Sequence, residues 1–150
     1  MLQMKTDLLR VNRLEKTADA WTLANAVTGS WVSLSGAGII QPAAVGDFAV
    51  PIFTESNRDG TAGFTGDVSV TGGVTVLLGK MEAITDQFTG TPAIGDKLYV
   101  LTTGKLANAT GASLDAAGEA AANVVAICTK AAADMEWFGS TISVIEYVTV

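Results

Sequence analysis

Side chains able to do chemistry are few in this chain and widely spaced. It has no histidine and a single cysteine among 150 residues. Without histidine, Ser-His-Asp and Cys-His arrangements cannot be built, and the commonest metal ligand is missing. Cys128 lies in Val124-Val125-Ala126-Ile127-Cys128-Thr129. That run reads as an apolar strand, in which a thiol behaves as a small hydrophobe with a raised pKa. Asn57-Arg58-Asp59-Gly60-Thr61 opens like a calcium loop, but it lacks the spaced carboxylates and terminal Glu of one. Gly36-Ala37-Gly38 has the glycines of a phosphate loop without a following Gly-Lys-Ser/Thr or an opening helix. Gly46-Asp47, Gly66-Asp67 and Gly95-Asp96 could supply acid–base carboxylates. Each precedes a strand-like run, so an Asp that closes a turn on its own backbone is the better reading. A small β-fold enzyme would need two carboxylates converging in a cleft, whereas here the acids sit mostly in turns. The expectation is a protein that is not an enzyme, with no catalytic residue, cofactor or metal.

The element that organises the chain is Ala93–Leu106. Gly95-Asp96 turns the chain into Lys97–Leu101, and Thr102-Thr103-Gly104 reverses it into Lys105-Leu106-Ala107. Two short runs joined by a Gly-containing turn predict a β-hairpin. The phrase is used twice: Pro42–Val50 (Pro-Ala-Ala-Val-Gly-Asp) resembles Pro92–Val100 (Pro-Ala-Ile-Gly-Asp). Val68-Ser69-Val70 and Val74-Thr75-Val76 flank Thr71-Gly72-Gly73, a second hairpin pattern. Further strands are expected at Ala20–Leu23, Ser30–Leu34, Phe48–Phe53, Asn123–Thr129 and Thr141–Val150, with Ala131–Trp137 as a connection. Pro51 argues for an edge position or a bend. Ala109–Ala122 is low-complexity and allows at most a short helix, weakened by Gly118. Many short strands and Gly-rich turns predict an all-β barrel or sandwich of short antiparallel strands, and a small barrel has the advantage that closure removes strand edges. Leu98, Val100, Val124, Ile127, Ile142 and Val144 are its candidate core.

Residues 1–20 stand apart from the domain expected over 21–150. Met1–Lys16 carries four of the nine basic residues and no glycine. Its apolar residues fit neither period: Met4, Leu8 and Val11 suggest a helical face, Leu2, Met4 and Leu9, Val11 an alternating strand. That leaves two readings, an N-terminal arm that takes its structure from a neighbour, or an ordinary first element of the domain.

Charged residues make up 16% of the chain, below the roughly 25% of soluble domains, and the surface reads as small and neutral. Net charge is −6, and the nine basic residues form no patch, which argues against nucleic-acid binding. One cysteine allows no internal disulfide, and no apolar run approaches the ~20 residues of a membrane helix. Lys5, Asp7, Arg10 and Arg13 interrupt any signal-peptide core. Trp21, Trp31 and Trp137, spread widely, fit core or subunit-contact anchors better than a stacking stripe. Candidate interface residues are Leu2, Met4, Leu8, Leu9, Val11, Trp21, Phe53 and Phe64.

In order, the chain carries Gly46-Asp47…Val50-Pro51, Ala62-Gly63-Phe64-Thr65-Gly66 and a Val-rich hairpin. Next come Ala93–Val100 with Gly104-Lys105-Leu106, then Val124–Cys128 and a final strand Ile142–Val148. This succession, over about residues 40–150, resembles the small capsid decoration, or cement, proteins of tailed bacteriophages. The resemblance implies a β-barrel flared at one end, the β-tulip, with a projecting arm. It also implies a virion protein that binds the outside of the head, as a homotrimer, and clamps neighbouring major capsid subunits against the pressure of packaged DNA. The competing reading is a phage tail or spike component that binds a receptor or glycan.

Overall fold

Short β-branched and aromatic runs, cut by glycine, become strands wherever one face can be buried. The computed structural model describes residues 2–5, 12–17, 19–25, 27–36, 38–52 and 73–150. Its strands are β1 (Leu2–Met4), β2 (Asn12–Thr17), β3 (Trp31–Ser35), β4 (Gly38–Ile40), β5 (Val50–Pro51) and β6 (Gly73–Leu78). They continue as β7 (Glu82–Thr85), β8 (Lys97–Val100), β9 (Leu106–Ala107), β10 (Ala126–Trp137) and β11 (Ser140–Thr149). Three short helices, α1 (Ala20–Asn25), α2 (Ala109–Ala112) and α3 (Ala116–Ala121), complete the described elements. The fold is all-β, as the turn spacing predicts, and its main antiparallel sheet curls into a half-barrel. That sheet runs β1-β7-β11-β10-β8-β9. A three-stranded sheet, β4-β3-β5, and a β2-β6 pair lie beside it, and β5 sits at an edge, as Pro51 requires.

The repeated Pro-Ala…Gly-Asp phrase is one turn used twice. Asp47 accepts the N–H groups of Ala43 and Ala44 at 2.7 and 3.0 Å. Asp96 accepts that of Ala93 at 2.9 Å. Both glycines have positive φ, +81° at Gly46 and +90° at Gly95, a conformation that a Cβ penalises. Each glycine N–H then docks on a strand further along the chain, Gly46 on Val100 O and Gly95 on Cys128 O, both at 2.8 Å. The carboxylates of these two pairs are therefore turn closers, and the third pair, Gly66-Asp67, lies outside the described residues. The expected hairpin is β8–β9, with Tyr99 opposite Ala107 and Val100 opposite Leu106.

Gly104 joins this hairpin to the second sheet. Trp31 N–H donates to Gly104 O at 2.8 Å. A Cβ on Gly104 would lie 2.9 Å from Trp31 O and 3.3 Å from Trp21 Cη2, and its φ is +74°. Two apolar clusters sit on either side of the seam. One gathers Trp31, Leu98, Val100, Leu106, Ile145 and Tyr147, and the other Val32, Ile39, Val50, Ile52 and Val76.

Several sequence expectations give way here. Ala20–Leu23 is helical, because Asp19 Oδ1 accepts Thr22 N–H at 2.8 Å and caps a first turn. Ala131–Trp137 is not a connection but the outer half of β10. Of the candidate core, Leu98, Val100 and Val144 are buried, while Val124, Ile127 and Ile142 are half-buried. Also buried along this part of the chain are Val125, Ala126, Cys128, Ile145 and Tyr147. Leu2–Met4 forms an edge strand on β7, with Leu2 opposite Thr85 and Met4 opposite Ala83. β2 pairs with β6 from Asn12 opposite Leu78 to Thr17 opposite Gly73. Here the strand period wins over the helical one. The first half of the Val68–Val76 hairpin lies outside the described residues, and its second half is β6.

Leu98 is fully buried, so Leu98→Ala is expected to cost ~2–5 kcal/mol in denaturant unfolding. Gly104→Ala combines a left-handed backbone with a clash against a carbonyl and should cost at least ~2 kcal/mol. An unchanged unfolding midpoint in either variant would contradict the packing described.

Candidate functional site

β10 and β11 enter the sheet together and leave it together. Near their base, Ala126 and Ile127 pair with β8, and Ile145–Val148 pair with β7. Among the described residues, the outer stretch from Ala133–Trp137 to Ser140–Val144 pairs only with itself. β10 has 12 residues and β11 has 10. The two extra residues are taken up at register shifts between Cys128 and Lys130 and between Lys130 and Ala133. Bulges bend a strand and re-aim the residues beyond them, so the ribbon is redirected where it leaves the sheet.

Directly opposed residues share a face. Ala133 faces Val144, Met135 faces Ile142 and Trp137 faces Ser140, which makes one side apolar. Asp134 opposite Ser143 and Glu136 opposite Thr141 make the other side polar and acidic. Glu136 Oε1 accepts the Thr141 hydroxyl at 2.5 Å. At the tip, Phe138 has φ +46° and Gly139 φ +79°. Positive φ at both residues is the geometry of a two-residue hairpin turn, usually Asn-Gly. A phenylalanine there costs about 1–2 kcal/mol of backbone strain. Its ring is 78% exposed and meets Trp137 edge-on, centroids 5.1 Å apart at 83°. Strain kept at an exposed aromatic is a mark of function.

Four neighbouring strands are pinned at the ribbon's base by charge. Lys5 Nζ lies 2.8 Å from Glu82 Oε1 and 2.9 Å from Glu146 Oε2, and Lys130 Nζ lies 3.3 Å from Glu146 Oε1. The hydrogen bond from Lys5 is the main cause that holds the Glu146 carboxyl below the usual range; burial opposes it, and the bond from Lys130 adds to the lowering.

At the other end of β11 is an apolar groove of about 170 Å³ between the sheets. Trp31, Phe48, Pro51, Leu78 and Val150 line it, with Lys80 as the charged side chain among its lining residues. Phe48 and Val150 are 62% and 63% exposed. Trp31 packs on Tyr147 at 5.8 Å, and its indole Nε1 has no hydrogen-bond acceptor among the described residues.

No family model, curated protein or solved structure matches this chain. Its chemistry is therefore read from its own geometry. A polar depression holds Asp96, Asn108 and Glu119. Asp96 accepts Ala93 N–H and Asn108 Nδ2, the second at 2.8 Å, and these bonds lower its pKa. A general acid needs the opposite shift. Glu119 accepts the Tyr99 hydroxyl at 3.1 Å. Cys128 is buried, and burial raises its pKa.

Of the sequence-predicted interface residues, Leu2 is 7% exposed and packs in this chain's own core. Met4 lies in β1, and Trp21, on α1, packs half-buried against the second apolar cluster. Leu8, Leu9, Val11, Phe53 and Phe64 lie outside the described residues. Sequence reasoning misses the ribbon, although Ala133-Asp134-Met135-Glu136-Trp137 alternates as a strand does and Phe138-Gly139 ends it with a glycine.

Because the Glu146 carboxyl is depressed in the folded chain, its contribution is complete above the ordinary carboxylate range. It is lost as pH falls through the folded value. Glu146→Gln should therefore lower the denaturation midpoint at about pH 6 and lose most of that deficit by about pH 3. An equal deficit at both values would contradict the charge network.

Proposed function

We propose that the protein is a structural virion component, a capsid decoration or cement protein. It binds the outer surface of a tailed-bacteriophage head as a homotrimer and stabilises contacts between major capsid subunits. It acts without catalysis or cofactor and contacts neither nucleic acid nor membrane. The observation that carries this reading is the β10–β11 ribbon, with one apolar face and an exposed aromatic tip outside the sheet. An isolated two-stranded ribbon is marginal in water, so a covering partner would stabilise it and be held by it. The order of motifs over residues 40–150 and the small all-β fold point the same way.

The mechanism is burial of apolar area at ~25 cal/mol per Å², less the cost of association. Repetition over the shell multiplies a modest contact through avidity. Met135 and Ile142, opposed on the apolar face, are the residues placed to meet the shell.

Co-sedimentation with expanded heads tests the reading. The wild-type chain should pellet with heads, and Met135→Lys/Ile142→Lys should bind at least about tenfold more weakly while keeping its β circular-dichroism spectrum. Wild-type protein that stays in the supernatant, or that fractionates with tails, would overturn it.

A further inference from the structure

We propose that the tip of the β10–β11 ribbon is a knob that seats in the apolar groove of a second copy of this chain. The inference rests on the homotrimer named above and says which surfaces join its copies.

Knob and groove lie at opposite ends of one strand. Ser140, next to the tip, begins β11, and Thr149, which ends it, lines the groove. Ten residues at ~3.3 Å each put about 30 Å between them. A chain therefore cannot fill its own groove with its own tip, and the occupant has to come from another molecule.

Size and charge both match. A dry cavity of about 150 Å³ is enough to take a benzene ring, and this groove measures about 170 Å³. The Phe138 ring is the large apolar group that the chain exposes most fully among the described residues. Seating it would cover the two other exposed apolar side chains at the rim, Phe48 and Val150. Beside the knob, Asp134 and Glu136 are exposed on the polar face of the ribbon. At the groove, Lys80 is exposed and has no ion-pair partner among the described residues. The two acids on one side of the aromatic plug thus meet the single lysine at the edge of the apolar socket, which favours one orientation as well as attraction. The left-handed Phe138 is accounted for too. The turn keeps an unfavourable residue because its ring is needed in another molecule.

Knob and socket are different surfaces, so the contact is heterologous. It closes into a ring when the rotation between copies allows and runs on as a filament when it does not.

Sedimentation velocity on the full chain tests this. The wild type should self-associate below about 100 µM. Phe138→Gly suits the positive φ, so it should fold at least as well yet associate at least about tenfold more weakly. Lys80→Glu should show a similar loss. Mixed together, the two variants retain one intact knob and one intact socket and should form a heterodimer that neither forms alone. A wild type that is monomeric at about 100 µM, a Phe138→Gly protein that associates as the wild type does, or a mixture that stays monomeric would each overturn the proposal. Head co-sedimentation separates the two readings. A monomer that pellets with heads ends the knob and leaves the shell role standing. Copies that join through the tip but ignore heads do the reverse.

Discussion

A β-ribbon of two strands needs something against its apolar face, and the way this chain meets that need differs along the length of β10 and β11. In their lower halves β7 and β8 flank the pair, and Ala126, Cys128, Ile145 and Tyr147 are fully buried. In their upper halves the apolar residues change face: β11 keeps its period of two, so Ile142 and Val144, opposite Met135 and Ala133, lie on the side that Glu146 and Val148 occupy at the base, with no further strand beside them among the described residues. The lower half fixes the upper half in space. The proposed role depends on that continuity, because a firm base lets the half-exposed side chains of Met135, Trp137 and Ile142 be presented beside the exposed Phe138.

Small backbone devices join the base together alongside its buried side chains. Gly46, Gly95 and Gly104 each hold a positive φ and each bring a loop within hydrogen-bond distance of a distant strand. Asp47 and Asp96 close the first two of these turns. The Lys5–Glu82–Glu146–Lys130 network then ties β1, β7, β11 and β10 together across the sheet. Exposed ion pairs contribute little individually. Linked in a network at the ribbon's root, they add to the ladder that joins β11 to β7 there.

Part of this architecture is legible in the sequence. The Gly-Asp turns, the β8–β9 hairpin and the all-β class obey local rules, because a glycine with positive φ and an Asp closing its own turn act within a few residues. Trp21 reads as part of a strand, but an N-cap, Asp19, outweighs β propensity over one short turn. Leu2 reads as a contact for another protein, but its burial depends on β7, about eighty residues away in sequence, and no local period reveals so distant a strand. Ile142 reads as core because alternation says which face a residue is on, not whether anything covers that face. The ribbon escapes notice for the same reason: its pattern is that of an ordinary strand, and only its position beyond the neighbouring strands makes it exposed.

The most direct measurement is to place a photoreactive phenylalanine analogue at position 138 of the full chain, illuminate the assembled protein, and map the adducts by mass spectrometry. Cross-links to another polypeptide are expected, with adducts near Phe48 and Lys80 where that polypeptide is a second copy. Adducts confined to the same chain, or none above the monomer mass, would contradict that expectation.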